Sequence, residues 1–382
     1  MTRGDVYLSI DRTRTLSEEP EKGHNRWHPD IPPILEVRQG QVVGVETRDA
    51  FDGQFTAKTT ANKVRGVNLN VVHPLTGPIY IDGAEPGDIL EVSIADIHVG
   101  TFGYTAQVPG FGFLRDIFTE PFFVRWGISD GYATSGDLPG VRIPGAPFMG
   151  VMGLAPSIEL LNLINKRETD LSKRGGNVLL PNIADAVPQS PSISSTAIRT
   201  IAPHEVGGNL DIKQLTKGAK IRLPVYVPGA LFSVGDAHFA QGDNESCGTA
   251  IEMAATLYAS FHVMKGAATE RNIRDVQFYR DQDFDPAPIP EPRRFFATTG
   301  QCYTRGGVAF SEDASLASRN ALLNMIDYLV AEHGYTPQQA YTICSVAVDL
   351  KISELVDVPN FVVTAILPLD IFTSSGRKQG GR

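Results

Sequence analysis

Glycine and proline constrain the fold of this chain more than any other residues. They number 37 and 26 among 382 residues, and they recur along the whole length. Proline interrupts helices and the interior of sheets, and glycine marks turns. The chain is therefore predicted to fold from short strands joined by turns, with few long helices.

The strand pattern is clearest in the first half. Four segments there alternate apolar and polar residues and are rich in β-branched side chains: 5–10, 34–48, 78–83 and 88–99. Strands return at 221–240. Residues 100–150, by contrast, are rich in Gly, Pro and aromatics and have little periodicity. They predict a long irregular segment that lines or covers a site.

Three helices are predicted in the second half, at 246–261, at 316–334 and from the Thr336-Pro337 pair onward. The fold class is therefore α+β and β-rich, with several packed β-sheet or barrel-like modules and a few helices in the C-terminal half. We divide the chain into a β-rich N-terminal domain (1–200) and an α+β C-terminal domain (201–382).

Charge and composition exclude several classes of protein. The formal net charge is −9 and no basic stripe occurs, which argues against a nucleic-acid partner. No window approaches the roughly 20 apolar residues of a membrane-spanning helix. The three cysteines are too few and too scattered for a disulfide scaffold. The sequence thus predicts a cytoplasmic protein with no membrane or nucleic-acid partner.

The densest polar segment is GDAHFAQGDNE, residues 235–245. Asp236 and His238 are two residues apart on a predicted strand, so both point to one face. A carboxylate and an imidazole so placed can share a metal ion or pass a proton. Asp243 and Glu245 follow near the start of the predicted 246–261 helix. Each residue alone can be a cap or a core side chain, but four ionisable groups at one turn favour a functional site.

Other candidates are less concentrated. Asn209 and Asp211 follow Gly207-Gly208 and sit two residues apart, where they can face one site. Asp49 ends a strand and is a candidate ligand. His73, which precedes Pro74, is interpreted as a structural residue.

At these same places the sequence resembles the acetamidase/formamidase family, and more closely its formamidase branch. The matching stretches are 23–33, 73–88, 142–157, 207–252 and 298–303. The resemblance implies hydrolysis of short aliphatic amides to the acid and ammonia, on a β-rich multi-domain fold that forms homo-oligomers. Formamide is the expected substrate. Alternatives are acetamide or a γ-lactam, or a non-catalytic protein that binds small amides.

One mechanism consistent with these residues uses a divalent metal ion, zinc or similar. Asp236 and His238 would hold the ion, with Asp49 as a further ligand. The ion would polarise the amide carbonyl and activate water. Glu245 would act as the general base and then return the proton to the leaving nitrogen.

Substrate binding is assigned to Asn209, Gly208 and Asp211, with backbone N–H groups of the Gly-Gly pair as oxyanion donors. A second route remains open, in which the nucleophile is a thiolate of Cys247. That residue would sit at the N-terminus of the predicted helix, where the pKa of a thiol is lowered.

Overall fold

The computed structural model describes residues 6–281 and 294–373. Up to residue 153 it contains these strands: β1 (Val6–Leu8), β2 (Gly23–His24), β3 (Arg26–Trp27), β4 (Leu35–Val37), β5 (Val42–Glu46), β6 (Leu75–Ile81), β7 (Ile89–Val99), β8 (Phe102–Gln107), β9 (Phe122–Ser129), β10 (Tyr132–Thr134), β11 (Arg142–Pro144) and β12 (Phe148–Gly153). The strand-rich N-terminal half predicted from alternation is thus present.

The rest of the chain adds shorter strands and most of the helical structure. The strands are β13 (Ile198–Arg199), β14 (Gly207–Asn209), β15 (Lys220–Pro224), β16 (Phe232–His238), β17 (Glu252–Met253), β18 (Ala255–Met264), β19 (Gln277–Tyr279), β20 (Phe295–Gly300), β21 (Asp349–Glu354) and β22 (Val362–Pro368). The helices of the whole described chain are α1 (Ala61–Arg65), α2 (Ile158–Lys173), α3 (Pro191–Ser194), α4 (Ala267–Glu270), α5 (Ala314–His333) and α6 (Pro337–Ala347).

Two large sheets form the body of the molecule. The first has six strands in the order β1-β5-β18-β7-β15-β19. The second has eleven, with the main path β11-β10-β9-β8-β17-β16-β12-β14 and with β2, β4 and β6 joined at its side. Each sheet combines strands from before and after residue 200. The described strands form no closed barrel, and the β-rich α+β prediction is confirmed.

The C-terminal part is a small layer of its own. β20, β22 and β21 form a three-stranded sheet, and α5 packs against β20 and β22. Both predicted C-terminal helices are present. α5 begins after the Asp313 cap and ends at Gly334, where φ is +71°, and α6 begins with a capping box at Thr336 and Gln339. No helix in the described ranges is long and apolar enough to cross a membrane.

The helix predicted at 246–261 is wrong. The segment is a turn followed by β17 and β18, and β18 lies between β5 and β7 in the six-stranded sheet. From Ala255 onward the odd-numbered residues of β18 are buried and most of the even-numbered ones are less so, which is the two-residue period of a strand. Gly248 also has φ +89°, which is incompatible with a helix.

The irregular segment predicted at 100–150 is wrong as well. It holds β8 to β12, of which β12 is buried throughout. Its glycines and prolines lie at the ends of short strands, so the alternation never extends far enough to be recognised. Two helices, α1 and α2, also lie in the half of the chain for which only strands were predicted.

Candidate active site

The candidate site lies at the end of β16, in the middle of the larger sheet. Asp236 and His238 close this strand, and their side chains meet with 3.3 Å between Asp236 Oδ1 and His238 Nε2. β17 runs antiparallel beside β16 and places Glu252 directly opposite His238. The turn after β16 brings Glu245 back to the same place, and Asp211 follows β14. We call Asp211, Asp236, Glu245 and Glu252 with His238 the acidic cluster.

His238 is the centre of the acidic cluster. Its Nε2 lies 3.2 Å from Glu252 Oε2, 3.3 Å from Asp236 Oδ1 and 3.9 Å from Glu245 Oε1. Burial alone would lower the pKa of His238, but the Glu252 and Asp236 carboxylates hold it well above its usual range. His238 Nε2 therefore faces a strongly negative environment that favours a proton or a cation at this atom.

The carboxyl groups repel one another. Burial and the nearby charge of Asp236 raise the pKa of Asp211 to about 7, and burial likewise raises the pKa of Glu252 to about 7. Burial and the Asp211 charge raise the pKa of Glu245 well above its usual range. For Asp236 burial acts in the same direction, but the charges of His73 and His238 keep its pKa below the ordinary value.

The backbone is strained at the same residues. Asp211, Asp236 and Glu245 have φ values of 48°, 57° and 44°, in the left-handed region that side chains other than glycine rarely adopt. Such conformations persist only where the surrounding structure enforces them, and they cluster at functional sites. Here they turn three carboxylates toward one point.

Gly150 makes the crowding of the carboxylates possible. A Cβ at this position of β12 would lie 2.5 Å from Asp211 Oδ1 and 2.6 Å from Asp236 Oδ2. Both distances are shorter than any real contact, so no larger residue fits between the two acids.

A cavity of about 330 Å³ opens onto the acidic cluster. Four carboxylates, His73 and Asn209 line its polar end, while His238 lies behind them, fully buried. The apolar part of the lining comprises Ala50, Phe51, Leu69, Val72, Phe111, Phe113 and Ile201. A concave site with an apolar wall and a few convergent polar groups is typical of a small-molecule enzyme site.

The C-terminal part of the chain holds the turn that carries Glu245. Gly242 N donates to Ser345 O at 2.9 Å, Asp243 N to Asp349 Oδ1 at 3.0 Å, and Asn244 Nδ2 to Val348 O at 2.6 Å. The Asp243 side chain lies apart from the acidic cluster, where it pairs with Lys213 at 3.5 Å. The predicted helix start therefore does not position Glu245, and the junction between α6 and β21 does.

The predicted substrate-binding residues lie in three different settings. Asn209 lines the cavity. Its Nδ2 donates a hydrogen bond to Ile201 O at 3.0 Å, and its Oδ1 is buried without a hydrogen-bond partner. Asp211 lines it too, and its Oδ1 likewise has no partner. Gly208 pairs with Met152 in the sheet and lies outside the described cavity wall. Gly207 N donates to His204 O at 3.0 Å and is not free to bind an oxyanion.

Asp49, the predicted further metal ligand, belongs to a different arrangement. Its carboxylate accepts hydrogen bonds from Tyr104 Oη at 2.6 Å, Phe51 N at 3.0 Å and Gly53 N at 2.9 Å. Among the described residues it joins neither group of potential metal ligands. Three donors already satisfy Asp49, which caps the turn next to the cavity wall.

Cys247 does not have the setting of an activated thiol. It is buried in a turn, and its Sγ lies 3.5 Å from Thr249 O. No helix starts there, and burial raises the pKa of the Cys247 thiol. Cys247 is also absent from the described wall of the cavity, which its neighbour Gly248 lines.

Sequence reasoning missed three residues of the site. Glu252 fell inside the wrongly predicted helix, although a single acid between Ile251 and Met253 is a detectable signal. His73 was interpreted as structural, yet it lines the cavity with Nε2 3.7 Å from Asp236 Oδ2. Gln241, whose Oε1 lies 2.9 Å from His238 Nδ1, carries no signal that the sequence alone makes visible.

The acidic cluster contains two overlapping groups that can hold a metal ion. One is Asp211, His238 and Glu245, and the other is Asp236, His238 and Glu252. Within each group the ligand atoms lie within 4.8 Å of one another. Imidazole and carboxylate are common zinc ligands, and Asp211 Oδ1 and Glu252 Oε2 are buried oxygens that accept no hydrogen bond, which an ion would satisfy. The donor set therefore fits a divalent cation.

Comparison with known proteins identifies relatives over nearly the whole chain. The model of the acetamidase/formamidase family matches residues 9–374. The formamidase of Methylophilus methylotrophus is 38% identical over 96% of this chain and 93% of its own. The acetamidase of Mycolicibacterium smegmatis is 36% identical over 89% of each chain. A γ-lactamase structure from Delftia acidovorans superimposes with a TM-score of 0.91, at 33% identity over 98% of this chain and 95% of that one.

The similarity to a formamidase and an acetamidase over most of the chain thus defines an amide hydrolase. The chain belongs to the acetamidase/formamidase family.

Proposed function

We propose that the protein hydrolyses a small carboxamide, with formamide as the preferred linear substrate, to the carboxylic acid and ammonia. The observation that carries this proposal is the acidic cluster, in which four carboxylates and an imidazole converge on one end of a cavity. The similarity to a formamidase and an acetamidase supports the choice of reaction.

Asp236 and His238 are proposed to hold a divalent ion such as zinc, together with Glu252. Such an ion would supply Lewis-acid polarisation of the amide carbonyl and of a water molecule. It would also offset the repulsion among carboxylates whose pKa values burial raises.

Glu245 is proposed as the group that moves the proton. It lines the cavity, and 16% of its side chain is exposed. It is the most accessible of the three acids that lie within 4 Å of His238 Nε2. Its raised pKa, caused by burial and the Asp211 charge, makes its carboxylate a stronger base than an ordinary glutamate. It would take a proton from the attacking water and return it to the amide nitrogen, which leaves as ammonia when the C–N bond breaks.

Asn209 and Asp211 are proposed to orient the substrate. Each presents a buried oxygen without a partner at the cavity. The NH₂ group of a primary amide carries two N–H donors, which these two acceptors match. An ester or an acid of the same size lacks both donors, so such contacts favour amides.

A γ-lactam is the second candidate substrate. The structural similarity to a γ-lactamase favours it, and so does a cavity of about 330 Å³, which is large for a substrate with three heavy atoms. A ring amide would place its methylene groups against the apolar wall.

An amide screen tests the proposed function. Ammonia release is measured for formamide, acetamide and propionamide, and amino-group formation is measured for a γ-lactam. We expect formamide to be hydrolysed fastest. A rate more than about tenfold higher for acetamide or the lactam, equivalent to about 1.4 kcal/mol, would contradict the preference for formamide. Turnover of none of these amides would refute the reaction itself.

We also propose that the protein works in the cytoplasm as a homo-oligomer. Its three cysteines are unpaired and buried, as is typical of proteins in reducing compartments. The loop between β21 and β22 exposes 80% of Val356 and 68% of Val358, a feature that favours association. Light scattering after size exclusion gives the number of subunits, and a monomer would contradict this proposal.

A further inference from the structure

Gln241 links two parts of the acidic cluster. It lies three residues after His238, on the turn that follows β16, and its side chain is buried. Its Nε2 donates a hydrogen bond to the Asp211 carbonyl oxygen at 2.9 Å. Its Oε1 lies 2.9 Å from His238 Nδ1.

The Asp211 carbonyl determines which way the Gln241 amide faces. A carbonyl oxygen only accepts hydrogen bonds, so the NH₂ end of Gln241 must face Asp211 and its oxygen must face His238. That oxygen in turn only accepts. His238 Nδ1 therefore carries the hydrogen of this contact, in the neutral ring as well as in the charged one.

With a hydrogen fixed on Nδ1, Nε2 is the ring nitrogen of His238 that either carries a hydrogen or presents a lone pair. Nε2 faces the oxygens of Glu252, Asp236 and Glu245 at 3.2, 3.3 and 3.9 Å. A bare nitrogen lone pair in that position is repelled by the carboxylates. A cation between them turns the repulsion into attraction, because both nitrogen and oxygens then act as ligands.

We propose that Gln241 is a positioning residue that holds His238 in the tautomer whose Nε2 lone pair points at the carboxylates, so that this nitrogen can bind a divalent cation. This inference rests on the proposed function. Histidine ligands generally donate their other N–H to an oxygen that fixes the ring, and loss of that partner weakens metal binding by about 10- to 100-fold.

Two substitutions separate this role from a purely structural one. Gln241→Met keeps the length of the side chain but removes both hydrogen bonds. Gln241→Glu keeps an acceptor for His238 Nδ1 and loses the donation to Asp211 O. Gln214→Met is the matched control, since Gln214 is exposed and its side chain contacts Asp243 rather than the acidic cluster.

The measurement is the zinc affinity of the metal-free proteins by chelator competition, together with kcat and KM for formamide and the unfolding temperature. We expect Gln241→Met to bind zinc about 10- to 100-fold more weakly and to lose kcat more than KM. Gln241→Glu should recover zinc binding to within a few-fold of the wild type. Gln214→Met should match the wild type throughout.

Equal zinc affinity of Gln241→Met and the wild type would overturn the proposal, even if the unfolding temperature falls. If Gln241→Met does not fold, Gln241→Glu decides alone, and a tenfold loss of zinc affinity in that variant contradicts the proposed role. A wild type that binds zinc but releases no ammonia would refute the proposed function and leave the zinc comparison valid. Absence of zinc binding by the wild type would overturn the role of Gln241 while the amide assay still judges the reaction.

Discussion

At the scale of single residues, the candidate site depends on groups that are unfavourable on their own. Three acids adopt left-handed backbone conformations, and their carboxylates are buried close together around His238. Such an arrangement costs stability unless a proton or a cation offsets the charge. Its presence at one end of a cavity favours chemistry that uses water and a metal ion over chemistry that uses a thiolate.

Cys247→Ser and His238→Ala distinguish these two chemistries. With water as the nucleophile, Cys247→Ser should retain kcat for formamide within a few-fold, because the hydroxyl fits the space of the thiol. His238→Ala should lower kcat by about 100-fold or more, since it removes the proposed central metal ligand. The ammonia-release rate of each purified variant is the measurement. Loss in Cys247→Ser with activity retained in His238→Ala would establish the thiolate route instead.

At the scale of single elements, the strands with regular alternation and the capped helices were predictable. Thr336 with Gln339 and Gly334 mark helix ends by local chemistry that needs no tertiary context. β18 was not predictable in the same way. Its alternation of buried and less buried residues begins only at Ala255, after a turn and β17, so the stretch 246–261 mixes three local patterns that the sequence alone does not separate.

The turn before β7 offers a test of one local element. Asp88 is buried and accepts hydrogen bonds from Lys265 Nζ at 2.7 Å, Gly266 N at 2.7 Å and Glu85 N at 2.9 Å. Burial would raise the pKa of Asp88, but these donors more than offset it and hold the pKa below its usual range. A carboxylate with a lowered pKa stabilises the fold above the unfolded pKa of about 3.9 and loses this contribution as pH falls through the folded value.

Asp88→Asn should therefore lower the free energy of unfolding at pH 7 by about 1–3 kcal/mol. The NH₂ group of asparagine cannot accept a hydrogen bond, so part of the donation from Lys265, Gly266 and Glu85 is lost. The difference from the wild type should shrink below about pH 4, where the native carboxylate becomes protonated. Urea unfolding at several pH values measures it. Asp82→Asn, at an exposed carboxylate nearby, is the control. A difference that does not change with pH would contradict this account.

At the scale of the whole molecule, the site is assembled from distant parts of the chain. The polar groups come from the end of β16, from β17, and from Asp211 and His73. Residues 345–349, more than 100 positions further along the chain, hold the turn of Glu245. The sequence identified Asp236, His238 and Glu245 because ionisable groups are dense at 235–245, and Asn209 and Asp211 because they follow the Gly207-Gly208 pair. It did not reveal Glu252, Gln241 or the C-terminal support, since these meet the site only through tertiary packing.

Asp349→Ala tests the support from the C-terminal part. Asp349 accepts hydrogen bonds from Asp243 N and from the buried Lys213 ammonium. Its removal should loosen the turn of Glu245 and lower kcat for formamide about tenfold or more. A buried group that loses its hydrogen-bond partner costs about 1–3 kcal/mol, which is enough to shift the turn away from its native position. Asp357→Ala, at an exposed residue of the same part of the chain, should have no effect. Equal kcat in both variants would mean that the junction between α6 and β21 does not position Glu245.

The most direct test of the account is the rate of ammonia release from formamide by Glu245→Gln beside the wild type. Glutamine keeps the shape of the side chain and cannot accept the proton of the attacking water. We predict that kcat falls by about 10²–10⁴-fold, while the variant folds and the exposed control Glu36→Gln retains full activity. A Glu245→Gln enzyme that hydrolyses formamide within twofold of the wild-type rate would contradict the assignment of catalysis to the acidic cluster.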